Sequence, residues 1–212
     1  MDKRFTFAAI AILLSACSTS LDRPYFNTVG LVAPDAACSV DPRGFAKAEP
    51  IADFSEGNGC EVHNAYRVYA MSGVSFSQPA VIRCPLAVTF NDWLNNTVQT
   101  RAQSIYGQKI AALNIADTYS CRPRNNVRGS KLSEHGLANA IDIAGFTLAN
   151  GKQVSVLNDW NGSAADQSFL RAIRQEACGP FHTVLGPGSD AYHNNHIHLD
   201  LQHERSGGPY CH

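Results

Sequence analysis

Two apolar segments of the chain carry ionisable side chains at alternate positions. In residues 140–144, the two-residue period of a β-strand places the isoleucines on one face and Asp142 on the other. In residues 195–201, the same period separates the apolar side chains from His196 and His198. Because a buried carboxylate is costly unless it meets a cation or several hydrogen-bond donors, a fold of this chain must bring such a partner to Asp142.

Histidines in and near both segments supply a candidate metal site. His135 lies seven residues before Asp142, and zinc accepts imidazole nitrogen and carboxylate oxygen as ligands. A catalytic zinc site keeps three protein ligands and one open position, and two histidines with one aspartate match that count. The alternative is a wet cleft in which hydrogen bonds satisfy each polar side chain, but it must account for both segments together. We therefore predict a zinc site.

Hydrophobic periodicity predicts the surrounding elements. Apolar residues recur at helical spacing from Pro85 to about Tyr106 and again over residues 166–177. Asn150-Gly151 predicts a hairpin turn. The predicted strands are residues 140–148, 153–157, 182–185 and 195–201, and residues 109–119 are predicted to be extended. We expect an α+β fold in which a small antiparallel sheet carries the metal site, with helices packed on it and disulfides that staple it.

The first 17 residues resemble the signal peptide of a bacterial lipoprotein. Lys3 and Arg4 form a charged start, and residues 5–14 form an apolar stretch too short to span a bilayer as a helix. The run Leu-Ser-Ala-Cys that ends at Cys17 matches the lipobox, in which a peptidase cuts before a cysteine that receives a lipid. An ordinary signal peptide that contains a cysteine is the alternative.

The residues after Cys17 suggest a tether and a location. Residues 18–35 carry Ser, Thr, Asn and Pro with little periodicity, which predicts a tether before a folded domain at residues 36–212. Ser18 stands where an aspartate would favour retention in the inner membrane. In a Gram-negative host, the resemblance therefore implies an outer-membrane lipoprotein that faces the periplasm, anchored in that membrane through the lipid on Cys17.

The other cysteines agree with export, because removing Cys17 from the seven leaves an even set: Cys38, Cys60, Cys84, Cys121, Cys178 and Cys211. The oxidising periplasm favours three disulfides over six free thiols, although spacing alone does not determine the pairs. We predict the pairs Cys38–Cys60, Cys84–Cys121 and Cys178–Cys211. A thiolate zinc site is the alternative, and it lacks a C-x-x-C pair.

Length and charge narrow the range of partners. A chain of 212 residues suits one well-buried domain. With 17 basic and 18 acidic residues and a net charge of -1, it has no electrostatic footprint for nucleic acid, so we expect no nucleic-acid partner. We also expect a monomer.

Several short runs together carry a family resemblance. The runs are Tyr119-Ser120-Cys121-Arg122, Ser133-Glu134-His135 with Ile141-Asp142, Asn158-Asp159-Trp160, Val184-Leu185-Gly186-Pro187-Gly188 and His196-Ile197-His198-Leu199-Asp200. Over about residues 36–212 the sequence resembles the bacterial extensin-like C-terminal domain family. Its zinc core is further similar to the D-Ala-D-Ala peptidase and lysostaphin-type metallopeptidases, which cut peptide bonds in peptidoglycan and share Ser-x-His-x-x-Gly-x-Ala-x-Asp followed by His-x-His or Glu-x-x-His.

This resemblance implies a role for each matching residue. His135, Asp142 and His198 would bind the zinc ion, and His196 would be the catalytic histidine. Arg122 would polarise the substrate carbonyl while water activated by zinc attacks it. The alternative for Arg122 is a surface arginine beside a disulfide.

The sequence departs from the peptidase pattern at two points. Ala138 stands where the pattern has glycine, and no Glu-x-x-His is present, so the glutamate that serves as general base in the D-Ala-D-Ala dipeptidases is absent. The candidates for a replacement base are His193, His196 and Asp190.

The resulting functional hypothesis is a zinc-dependent peptidoglycan peptidase, either an endopeptidase or a carboxypeptidase, that acts on stem peptides or crosslinks. Its alternative is a zinc-containing lipoprotein that binds peptidoglycan or organises the envelope without catalysis. A zinc-storage or zinc-sensing module is a third hypothesis, and it is disfavoured because the ligands are few and lie in strands rather than in a His-rich tract.

Overall fold

The computed structural model describes residues 41–202 and 208–212, which form an α+β fold, as predicted. The strands are β1 (Ala46–Pro50), β2 (Phe54–Gly57), β3 (Cys60–Val62), β4 (Ala65–Met71), β5 (Val74–Arg83), β6 (Ile110–Asp117), β7 (Ala140–Leu148), β8 (Gln153–Ser155), β9 (Thr183–Leu185), β10 (Ile197–Asp200) and β11 (Tyr210–Cys211). The α-helices are α1 (Cys84–Trp93), α2 (Thr100–Tyr106), α3 (Val156–Asp159) and α4 (Ala164–Ala177). No helix of these residues is long and apolar enough to cross a membrane.

The main sheet is larger than predicted, and it is mixed. Its strands follow the order β1-β4-β5-β6-β7-β10-β9-β11, and β8 also pairs with β7. Most pairs are antiparallel, but β5 with β6 and β9 with β11 are parallel. The strands that carry the candidate site are antiparallel, as predicted, but the sheet as a whole is neither small nor entirely antiparallel. The five strands before α1 were not predicted, since apolar and polar side chains do not alternate clearly along them.

The helix predicted from Pro85 to Tyr106 is present as three consecutive pieces. Pro85 lies in the first turn of α1, and a π-helical turn at Leu94–Gln99 joins α1 to α2. Gly107, which adopts a φ of 65°, ends α2 in the left-handed conformation that glycine tolerates best. The indole nitrogen of Trp93 donates to the carbonyl of Ile173 at 3.1 Å, which ties this helix to α4.

The predicted hairpin is confirmed for its turn and its first strand. β7 pairs with β8 around Gly151, whose φ is 87°. The second strand was expected to reach residue 157, but it ends at Ser155. The side chain of Ser155 accepts a hydrogen bond from the amide of Asn158, and this cap begins the short helix α3 in place of further strand.

The main hydrophobic core lies between the large sheet and the helices, and a second, small cluster contains Val62, Ala65 and Ala138. Phe146 of β7 packs edge-on against Phe169 of α4, with ring centroids 5.2 Å apart. On the two strands that carry the candidate ligands, the inward side chains are fully buried: Ile141, Ile143, Ile197 and Leu199. The side chains between them therefore lie on the opposite face of the sheet, as the alternation predicted.

The cysteine pairing was predicted correctly in one case. Cys178 is bonded to Cys211, as expected, but Cys60 is bonded to Cys121. The predicted pairs Cys38–Cys60 and Cys84–Cys121 were therefore wrong. Cys60 meets Cys121 because β3 packs against the short helix that carries the candidate ligand His135, and the amide of Ser120 donates to the carbonyl of His135. Cys84 is also disulfide-bonded.

Several predictions fall on residues that lie outside the described part of the chain. These are the signal peptide at residues 1–17 with its lipidated Cys17, the tether at residues 18–35, and Cys38.

Candidate metal centre

The candidate site is built on the central strands β7 and β10. These strands are antiparallel neighbours, and their register places His198 directly opposite Asp142. Both side chains project from the face that does not contact the core, and both are buried. The Nδ1 atom of His198 lies 2.7 Å from Oδ1 of Asp142.

His135 reaches the same point from a short 3₁₀ helix, Glu134–Leu137. The hydroxyl of Ser133 caps this helix, and Ala138 ends it in a left-handed conformation. The Nδ1 atom of His135 donates to the carbonyl of Thr118 at 2.6 Å, so its Nε2 atom points the other way. That Nε2 atom lies 3.2 Å from Oδ2 of Asp142 and 3.2 Å from Nδ1 of His198.

The three donor atoms fit a metal ion. One ligand atom from each of His135, Asp142 and His198 lies within 4.8 Å of the others, and all three residues are buried. Ligands of a tetrahedral zinc ion, each about 2.05 Å from the metal, lie roughly 3.3 Å apart, and the 3.2 Å separation of the two imidazole nitrogens is close to that value. The cluster could therefore bind a metal ion, and zinc remains the prediction from the ligand types.

Neighbouring groups orient both imidazoles toward the metal position. The ring nitrogen of His135 that faces away donates to Thr118, and the outward Nε2 of His198 lies 3.0 Å from a carboxylate oxygen of Asp200. Hydrogen bonds of this kind fix the histidine tautomer and leave the opposite nitrogen with a lone pair for the metal. The ligating atoms would thus be Nε2 of His135, Nδ1 of His198 and the carboxylate of Asp142.

Electrostatics at the cluster also suit a cation. Burial opposes ionisation of Asp142, but the charges and hydrogen bonds of His198 and His135 outweigh it and hold the pKa of that carboxyl well below its usual range. Burial would likewise lower the pKa of His198, but Asp142 and Asp200 raise it to about 10. The buried carboxylates therefore stabilise positive charge at this position.

Two further histidines lie beside the cluster. The Nε2 atom of His196 is 3.4 Å from Oδ2 of Asp142, and its Nδ1 atom lies 2.7 Å from the side-chain oxygen of Asn195. His193 is buried, with its ring centroid 5.1 Å from that of His196, and its Nδ1 atom lies 2.7 Å from Asp190. Burial lowers the pKa of His196, and the neighbouring histidines lower it further against the opposing charge of Asp142.

Arg122 also faces the site. Its Nη2 atom lies 3.0 Å from Oδ2 of Asp117, and the same oxygen is 3.8 Å from Nδ1 of His135. Arg122 directly follows the disulfide-bonded Cys121 and lines the same cleft as the cluster. Arg122 therefore lies both beside a disulfide and beside the candidate metal ligands, and this position is compatible with either of the two roles considered for it.

The cluster lines a cleft of about 310 Å³. Its walls include residues for which the sequence indicated no role in the site: Arg124, Asn125, Asn126, Glu134, Thr183, Leu185, Tyr192, Asp200, Gln202 and Tyr210. Arg124 could have been noticed, since it lies two residues after Arg122 in the same loop. Tyr210 could not, because β11 brings it to the cleft by pairing with β9, which no local pattern indicates.

The fold and the site define an α+β protein in which two central strands and a short 3₁₀ helix bring together a buried His-Asp-His cluster that lines a cleft and could bind a metal ion. The family model for the extensin-like protein C-terminus matches residues 36–212, and the chain belongs to that family. No curated protein and no solved structure matches the chain significantly.

Proposed function

We propose that this protein is a zinc-dependent peptidase that hydrolyses peptide bonds in peptidoglycan stem peptides or crosslinks. The observation that carries the proposal is the buried cluster of His135, Asp142 and His198, which opens into a cleft next to two more histidines. The motifs that hold these residues are similar to those of the D-Ala-D-Ala peptidase and lysostaphin-type metallopeptidases. Those enzymes act on the same class of substrate.

His135, Asp142 and His198 would hold a zinc ion, and that ion would supply the Lewis acidity needed to activate water and polarise a peptide carbonyl. The residues of the chain would do the rest. Arg122, held by Asp117, presents its guanidinium to the developing negative charge on the carbonyl oxygen. As the bond from water oxygen to carbonyl carbon forms and the carbon–nitrogen bond breaks, one proton must pass from water to the leaving amine.

The proton carrier in this proposal is a histidine. His196 lies next to the Asp142 carboxylate. The ring of His193 packs against that of His196, and Asp190 orients the His193 ring. Either imidazole is adjacent to the cluster, so the pair can replace the glutamate base that the sequence lacks. We assign proton transfer to His196 and the support of its ring to His193.

We also propose that the protein is anchored in the outer membrane through a lipid on Cys17 and faces the periplasm. The support is the lipobox-like run that ends at Cys17 and the serine that follows it. An anchor there would place the cleft beside its proposed substrate.

Incubation of the full chain with purified sacculi or defined muropeptides tests the activity. Chromatography should show new peptide fragments, and a chelator should abolish them until zinc is restored. The variants His198→Ala and His196→Ala should be inactive, whereas His63→Ala, which removes an exposed histidine outside the cleft, should match the parent chain.

The missing Glu-x-x-His glutamate favours one second candidate, a non-catalytic peptidoglycan-binding protein that holds zinc. The same experiment separates the two. If fragments still form in the presence of chelator, the zinc-dependent peptidase proposal is contradicted. If the zinc-loaded chain binds muropeptides without cleaving them, that proposal is contradicted and the binding protein is supported.

A further inference from the structure

One wall of the cleft is formed by a single loop, residues 121–133, here called the arginine loop. It begins at the disulfide-bonded Cys121 and ends at Ser133, the residue that caps the helix carrying His135. Four of its first residues line the cleft: Arg122, Arg124, Asn125 and Asn126. Side chains with hydrogen-bond donors therefore line the cleft from a loop that leads directly into the helix of the candidate ligand His135.

The two arginines of this loop that line the cleft, Arg122 and Arg124, differ in how their charge is satisfied. Arg122 pairs with the carboxylate of Asp117 at 3.0 Å. Arg124 forms no ion pair with any residue in the described part of the chain, and there its guanidinium makes one hydrogen bond, from Nε to the carbonyl of Leu132 at 3.3 Å. Its two terminal nitrogens therefore remain available to a ligand in the cleft.

Backbone contacts hold the arginine loop in place. The amide of Arg124 donates to the carbonyl of Lys131 at 2.9 Å, and the amide of Ser133 donates to the carbonyl of Arg122 at 3.1 Å. Asn125 and Asn126 both adopt positive φ values, 55° and 56°, which asparagine tolerates better than most residues. Arg124 is thus presented by an ordered loop, and a ligand would not have to order that loop on binding.

From these contacts we infer that Arg124 forms a carboxylate-binding subsite of the cleft, with Asn125 beside it as a further donor. The inference rests on the proposed function and narrows its substrate to a peptide that carries a free carboxylate near the cleaved bond. A guanidinium presents two parallel N–H donors that match the two oxygens of a carboxylate. Its positive charge also remains uncompensated by the other described residues.

The test compares one stem peptide with the same peptide after its carboxylates have been converted to amides. Calorimetry measures both dissociation constants with the zinc-loaded His196→Ala chain, so that cleavage does not interfere. In this background Arg124→Gln should weaken binding of the acidic peptide by about tenfold or more, the usual worth of a hydrogen bond to a charged group, and leave the amide peptide unchanged. Arg124→Lys should recover part of the loss.

Arg128→Gln is the matched control, because Arg128 lies in the same loop, is exposed and does not line the cleft. It should bind both peptides as the parent does. In the chain with His196 intact, Arg124→Gln should raise KM for the acidic peptide with little change in kcat.

The inference is overturned if Arg124→Gln weakens the binding of both peptides equally, or of neither. It is also overturned if the chain binds neither peptide, or if inorganic phosphate displaces the acidic peptide and acetate does not. The last result would assign the subsite to phosphate. These measurements do not depend on turnover. If the chain with His196 intact binds the acidic peptide through Arg124 but does not cleave it, the peptidase proposal is contradicted and the carboxylate subsite is still supported.

Discussion

Asp142 and His198 face each other directly across β7 and β10, with 2.7 Å between Oδ1 of the aspartate and Nδ1 of the histidine. Side chains alternate between the two faces of a strand, so a shift of either strand by one residue would turn one of these groups into the hydrophobic core. The isoleucines next to Asp142 oppose such a shift, because they are fully buried in the present register. The packing of the core therefore determines the geometry of the metal site.

The first prediction concerns Asp142. Asp142→Asn removes the one anionic ligand of the cluster, and we expect zinc affinity to fall by more than about 100-fold, beyond the loss usual for a change outside the ligand set. Competition with a chromogenic chelator measures the dissociation constant. Asp92→Asn, at an exposed position of α1, is the control and should bind zinc normally. Equal affinity in the two variants would remove Asp142 from the ligand set.

The second prediction concerns Asp200, which holds the outward nitrogen of His198 at 3.0 Å. Asp200→Asn should weaken zinc binding by about 10- to 100-fold without abolishing it, since such partners orient the ligand and increase its basicity. The same titration measures this, and circular dichroism confirms that the variant is folded. An affinity equal to that of the parent chain would mean that the Asp200 contact does not tune His198.

The third prediction is a pH dependence of stability at Asp166, which does not line the cleft. Burial would raise the pKa of Asp166, but hydrogen bonds from Lys152, Ser163 and Tyr106 outweigh it and hold the pKa below its usual value of 3.8. A carboxyl whose pKa is lowered on folding stabilises the folded state above the unfolded pKa, and the contribution is lost as the pH falls through the folded pKa.

We therefore expect Asp166→Asn to lower the free energy of unfolding by roughly 1–2 kcal/mol at pH 7, because the variant loses a partly exposed ion pair with Lys152 and weakens the hydrogen bonds from Ser163 and Tyr106. The difference from the parent chain should shrink as the pH falls below about 4. Urea unfolding with the same metal content at each pH measures it. A difference that stays constant down to pH 2 would contradict the assignment to Asp166 ionisation.

The fourth prediction explains the departure at residue 138. Ala138 has a φ of 51° and is fully buried, so the position is one that glycine occupies without strain. In Ala138→Gly, about 1–2 kcal/mol of relieved strain is offset by the lost burial of a methyl group and by the greater freedom of glycine in the unfolded chain.

The free energy of unfolding should thus change by less than about 1 kcal/mol in Ala138→Gly, and zinc affinity should be unchanged. In Ala138→Val the free energy of unfolding should fall by more than about 2 kcal/mol, because a β-branched residue is strained at positive φ and overfills the buried site. Chemical denaturation compares the two variants. A large loss in the glycine variant would show that the methyl group of Ala138 matters more than the backbone strain.

Local patterns predicted much of the fold after residue 84. Helical spacing indicated the helix from Pro85 to Tyr106 and the helix that contains Phe169, and Asn150-Gly151 indicated the hairpin. The strands before residue 84 were missed, because their exposed and half-buried positions give a weak alternation. Two of the three predicted disulfide pairs were wrong, because the packing of distant strands decides which cysteines meet.

The sequence by itself determined which residue types gather at the site and which face of β7 and β10 they occupy, because strand alternation and side-chain chemistry act over a few neighbouring residues. Tertiary structure alone decided that Asp142 lies opposite His198, that His135 arrives with Nε2 toward them, and that Arg124 and Tyr210 share their cleft. These arrangements depend on sheet register and on contacts between segments far apart in the chain. No local propensity encodes such contacts; burial of the shared core selects them.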